Sequence, residues 1–148
     1  MRFRKAKYFL VLWVFLCTSS FTPSVSKFSV TAHVTNIRSS NGVIQLQVYL
    51  NNTNFQEETP FKSVRVSKKK MKNNSLKYTF KDLPAGTYGI ALLDDENSNR
   101  EMDYGWVMPK EGFGFSDYYH TGWSKPSFSD FDFKLSSNKT VKMKVRYL

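Results

Sequence analysis

From Lys27 to Arg38 apolar side chains fall on every second residue, at Phe28, Val30, Ala32 and Val34, the period of a strand with one face on a core. Ser39-Ser40-Asn41-Gly42 reads as a turn, and Val43 to Leu50 alternates again through Ile44, Leu46, Val48 and Leu50. Asn-Gly ahead of such a run is a strong hairpin signal, because both residues tolerate the positive φ of a tight turn. A polar loop containing Pro60 leads to a short strand at 63–67, and the basic, Asn-rich stretch 68–74 separates it from another at 76–80. Pro84 and Gly86 then punctuate a turn into a strand running to about Asp94. Near the C-terminus Phe131, Phe133 and Leu135 alternate, residues 136–138 turn, and Val141, Met143, Val145 and Tyr147 alternate again. The pattern predicts seven strands and no helix after the N-terminal segment, hence an all-β, seven-stranded antiparallel β-sandwich in a single domain over residues 27–148.

The first 20 residues follow a different rule. Arg2, Arg4, Lys5 and Lys7 precede an apolar run from Tyr8 to Cys17, and small polar residues follow. This is the layout of a signal peptide, with cleavage between residues 20 and 26. The run is about half the roughly 20 residues that span a bilayer, so no transmembrane segment is expected once it is removed. The whole chain has 148 residues, 22 Lys plus Arg, 12 Asp plus Glu and one Cys. Removing the segment takes four basic residues and the Cys, which lowers the formal charge from +10 to +6 and leaves no thiol. The expectation is a secreted, periplasmic or cell-surface protein for which nucleic acid is not a partner. The Lys68, Lys69, Lys70 and Lys72 cluster reads as a solvated loop, with contact to anionic lipid or polysaccharide at the cell surface as the other reading.

Residues 94–125 break the strand rhythm, and unstructured loops of that length are usually functional or mobile. Asp95, Asn97, Asn99, Glu101 and Asp103 place oxygen side chains at every second position. A loop that wraps could bring them to one hard cation, and Ca²⁺ accepts such irregular oxygen sets. The EF-hand pattern fails at its sixth position, Arg100 where Gly should be, and at its twelfth, Trp106 where Glu should be. The competing reading is a polar loop whose Asx side chains hold their own backbone turns. Further on, aromatic residues interleave with glycines. Tyr104, Trp106, Tyr118, Tyr119 and Trp123 are candidates for a ligand or partner surface, while Phe113 and Phe115 read as rings folding back over the open end of the sandwich.

"FKDLPAGTYGIALLDDENSNREMD", then "PKEGFGFSD" and "KPSFSDFDFKL", resemble the bacterial secreted family known as domain of unknown function 2141. The matching positions are Phe80, Leu83, Pro84, Gly86 and Tyr88; Asp95, Asn97, Asn99 and Asp103; Pro109 and Glu111 to Ser116; Pro126, Phe128 and Phe133. The chain departs at Asp94, where the family often has His, at Arg100 and Glu101, where Gly and Lys are usual, and at Asp117, Tyr118 and Tyr119. The resemblance implies an immunoglobulin-like or prealbumin-like sandwich and an exported location, with no reaction attached.

Enzyme readings find little support in the residues. Of the two His, His33 lies at the polar phase of a strand and His120 in the long loop, with no nucleophile indicated beside either. Asp103 and Glu111 are the carboxylate pair that a glycan-acting enzyme would use. The expected function is a non-catalytic binding or structural module of the bacterial cell envelope, with an envelope protein or polysaccharide as partner and Ca²⁺ in the acidic loop; the alternative is an enzyme acting on envelope glycans through loop carboxylates.

Overall fold

The computed structural model describes residues 26–106 and 108–148. The expected signal peptide, its cleavage site and Cys17 lie outside the described residues. Eight strands occur in the order β1 (Lys27–Thr35), β2 (Val43–Tyr49), β3 (Lys62–Ser67), β4 (Leu76–Pro84), β5 (Gly86–Asp95), β6 (Gly112–Phe115), β7 (Asp132–Leu135) and β8 (Lys139–Lys144). A single helical turn, α1 (Asn52–Gln56), succeeds β2 and is capped by the Asn51 side chain accepting from Asn54 N.

The smaller sheet has the order β4-β1-β8, and the larger runs β3-β2-β5-β6 with β7 also on β5. One core lies between them: Val30, Ala32, Val34, Val141 and Met143 from the smaller sheet meet Ile44, Leu46, Val48, Ile90 and Leu92 from the larger. These are the in-phase residues of each alternating run, and burying each contributes about 1.5–3 kcal/mol. The protein is therefore all-β and sandwich-like. Three expectations about the elements need correction. Eight strands occur among the described residues, because β6 lies inside the stretch read as a loop, and the sheets are not purely antiparallel, because β1 and β8 pair in parallel from Val30↔Lys139 to Thr35↔Lys144. A helical turn is present where none was expected. Among the described residues no helix is long and apolar enough to cross a membrane.

Strand β5 is shared between two partners on one edge: its first half pairs with β7 and its second half with β6. At the changeover Ser116 bridges the gap, its hydroxyl accepting from Ile90 N at 2.9 Å and donating to Phe131 O at 2.7 Å. Gly112 opens β6 because a Cβ there would collide with Tyr147 and Val145. Phe113 in turn exchanges backbone hydrogen bonds with Arg146, joining the two sheets along one side. Phe115 does not cover the open end of the sandwich. It packs with Tyr49, Phe55, Phe128 and Phe131 in a second apolar cluster, to which Phe113 and Tyr118 add partly buried rings. Tyr49 lies out of phase with core residues Ile44, Leu46 and Val48, so this cluster sits on the outer face of the larger sheet.

Candidate functional site

Adjacent strand residues point to opposite faces, so the last two residues of β5 diverge. Asp94 turns toward the core and Asp95 outward, yet both are completely buried. Asp95 Oδ2 accepts from Arg65 Nη2 at 3.2 Å and from Arg100 N at 3.1 Å, and Oδ1 has no hydrogen-bond partner among the described residues. Arg65 also reaches Ser98 O at 3.0 Å. Beyond Asp95 the chain winds through a ladder of Asx turns: Asn97 Oδ1 accepts from Asn99 N at 3.0 Å, and Asn99 Oδ1 from Glu101 N at 2.9 Å. The Asn97 and Asn99 amides both donate to the Asp103 carboxylate.

Of the two positions where the sequence leaves the EF-hand pattern, the sixth is made up for by backbone conformation and the twelfth is not. Arg100 adopts φ 78°, the left-handed conformation that glycine would supply, and its N–H is the one that Asp95 holds. Trp106 leaves no carboxylate at the twelfth position, and Glu111, which arrives from beyond the loop, braces its backbone: Oε1 accepts from Glu96 N at 2.9 Å and Oε2 from Asp103 N at 3.4 Å. Burial pushes the Glu111 carboxyl up, although both backbone bonds pull it the other way. Thus Asn97, Asn99 and Asp103 are bonded together, Asp95 closes the base of the same winding, and Glu101 is exposed at its edge. Among the described residues no three carboxylate, imidazole or thiol groups converge. Asn97 and Asn99 turn their amide nitrogens to Asp103 and their oxygens to backbone N–H groups, the Asx-turn arrangement of the competing reading.

Beside this loop lies a cleft of about 670 Å³. Gln45, Gln47, Ala91 and Leu93, on the outer face of β2 and β5, line its floor. The acidic loop contributes Glu101, Met102 and Tyr104, and the 120–126 segment contributes Trp123 and Lys125. Tyr104 is 65% exposed and Trp123 78%. Trp123 is presented by a braced turn, since Arg146 Nη1 donates to the carbonyls of His120 and Gly122 at 2.8 Å each. His120 Nε2 donates to Ser124 O at 2.7 Å, which makes it a brace on the cleft wall. The other aromatic candidates are dispersed. Trp106 is fully exposed at the tip of a small hairpin, where Gly105 N bonds Met108 O at 2.7 Å. Tyr119 lies under Lys144 Nζ at 5.0 Å, and Tyr118 packs on the outer aromatic cluster. His33 contacts Ser75 Oγ at 2.9 Å, in register with the outward phase of β1.

A second group lies on the core side of the same strand end. Lys68, read from sequence as part of a solvated loop, is instead completely buried against Asp94, while Lys69, Lys70 and Lys72 keep the expected exposure. Tyr147 donates to Asp94 Oδ2. Burial pushes the Asp94 carboxyl up, while Lys68 and Tyr147 pull it down. Burial, and then the bond to Asp94, likewise raises Tyr147. Nearby, Arg38 pairs with Glu96 at 2.9 Å and holds that carboxyl below its usual range. Neither Arg65 nor Lys68 was legible as a site residue, since each meets its partner only through strand pairings distant in sequence.

A two-sheet β protein with an Asx-wound acidic loop at the end of its longest strand is the class these observations define. The family model described as "Uncharacterized protein conserved in bacteria (DUF2141)" matches residues 32–144, and the chain belongs to that family. No curated protein and no solved structure matches the chain.

Proposed function

We propose that the protein is an exported, non-catalytic binding module of the bacterial cell envelope, built on an immunoglobulin- or prealbumin-type sandwich, whose acidic loop takes Ca²⁺ and so fixes one wall of a recognition cleft. The observation that carries this reading is Asp95: a fully buried carboxylate with one oxygen unbonded among the described residues, at the base of a loop whose other oxygens come from Asn97, Asn99 and Asp103. An unpaired buried acceptor costs about 1–3 kcal/mol, more when charged, and a cation removes that cost. The cleft's chemistry fits a saccharide: exposed Tyr104 and Trp123 offer stacking faces, and the side-chain amides of Gln45 and Gln47 offer donors and acceptors. A polysaccharide of the envelope is therefore the preferred partner.

The glycan-cleaving alternative has less in its favour. Asp103 and Glu111 are occupied in holding the loop, and Glu101 is the one carboxylate of residues 94–125 that lines the cleft. A glycan array probed with the wild type and Trp123→Ala, each in Ca²⁺ and in chelator, tests the proposal. Binding that needs both Trp123 and Ca²⁺ supports it; binding indifferent to both, or sugar cleavage, overturns it.

A further inference from the structure

Lys68, Lys69 and Lys70 share one 3₁₀ turn after β3, and the first is buried completely while the next two are exposed. Lysine is almost never fully buried unless it is paired. Its Nζ touches Oδ1 of Asp94, which is equally buried, and among the described residues neither atom makes any other polar contact. As an ion pair this is a poor arrangement. An ammonium carries three N–H donors, and two of them here have nothing to bond. Removing both charges from water is costly unless further hydrogen bonds complete the site. An amide made from the same atoms carries no charge and one N–H. The other Asp94 oxygen is already placed for that product. Oδ2 accepts from the Tyr147 hydroxyl, whose own oxygen is held by Arg38 N at 3.0 Å, so Oδ2 is fixed as the carbonyl side and Oδ1 faces the amine.

We propose that Lys68 and Asp94 are joined by an intramolecular isopeptide bond that forms as the fold closes. In the dry core a proton passes from the ammonium to Oδ1, leaving a neutral amine beside a neutral carboxylic acid. The Nζ lone pair attacks Cγ, and the charge that builds on Oδ2 is stabilised by the Tyr147 O–H. A second proton moves from the nitrogen to the Oδ1 hydroxyl, which leaves as water. One C–N bond forms, one C–O bond breaks, one water is released, and no oxidation state changes. The cross-link ties the end of β3 to the end of β5 across β2, immediately before the acidic loop.

Mass spectrometry of the purified, folded protein tests this, with the N-terminus read from its terminal peptide. The expected intact mass is one water below that of the processed chain, and digestion yields a branched peptide joining Lys68 to Asp94. Lys68→Arg and Asp94→Ala regain the water. A full-mass protein with Lys68 in a linear peptide overturns the proposal, and so does a water loss whose peptides are all linear. The wild type alone carries the decisive readout, so a variant that fails to fold leaves the test intact.

Discussion

Replacing Arg65 by Met keeps an apolar stem on β3 and removes the guanidinium that Asp95 Oδ2 accepts from at 3.2 Å. Asp95 is fully buried, so the variant leaves a buried carboxylate with one backbone N–H, from Arg100, as its remaining partner. Breaking a fully buried pair costs about 3–5 kcal/mol. The Arg65 side chain is 32% exposed, so water already screens part of the interaction. The expected loss is about 2 kcal/mol. Urea unfolding followed by circular dichroism measures it, in chelator and in Ca²⁺. The loss should shrink in Ca²⁺, because a cation on Asp95 does the work of the missing guanidinium. In an Asp95→Asn background the same Arg65 substitution should cost far less, giving a coupling energy of about 1–3 kcal/mol. A loss below about 0.5 kcal/mol in chelator, or equal losses in both backgrounds, would refute the reasoning.

Other parts of the fold give three further expected outcomes. Gly42 has φ 70° and a Cβ there would overlap the Asp95 carbonyl, so Gly42→Ala should cost about 2 kcal/mol or more in urea titrations, and it should weaken Ca²⁺ binding because the strain falls on the start of the acidic loop. Phe131→Ala hollows the outer aromatic cluster and should cost about 3–5 kcal/mol, measured the same way, whereas a loss under about 1 kcal/mol would mean the cluster is loosely packed. Glu96 is held below its ordinary value of 4.5 by Arg38, so the pair stabilises the fold above that pH and the contribution disappears as pH falls through the lowered value. Glu96→Gln should therefore lower the melting temperature near neutral pH and match the wild type in strong acid; both side chains are partly exposed, which keeps the effect under about 1 kcal/mol.

How far the molecule was legible depended on whether a feature is local. Strands β1, β2, β7 and β8 announce themselves because one face of each meets the core, and burial writes a period of two into the residues. Strand β6 does not: Gly-Phe-Gly-Phe reads as loop, and its glycines are there because Tyr147, Val145 and the Lys144 carbonyl pass too close for a Cβ. The parallel pairing of β1 with β8 joins residues more than a hundred positions apart, and alternation is the same for either direction. In the acidic loop the spacing of Asp95, Asn97, Asn99 and Asp103 was visible, since Asx turns are local hydrogen bonds. That Glu111 braces the backbone of this loop was not visible, because it arrives through the hairpin closed by Lys110 N to Asp103 O. Lys68 illustrates the limit best: a lysine in a basic run looks solvated, and only the fold brings it inside against Asp94.

Calorimetric titration of the purified protein with Ca²⁺, alongside the Asp95→Ala plus Asp103→Ala double variant, tests the central claim most directly. The expected result is heat for one site in the wild type and none in the variant. At a hundred times the dissociation constant the wild type should also gain about 2.7 kcal/mol in stability and a matching rise in melting temperature. No heat, with a melting temperature indifferent to Ca²⁺, would contradict the account.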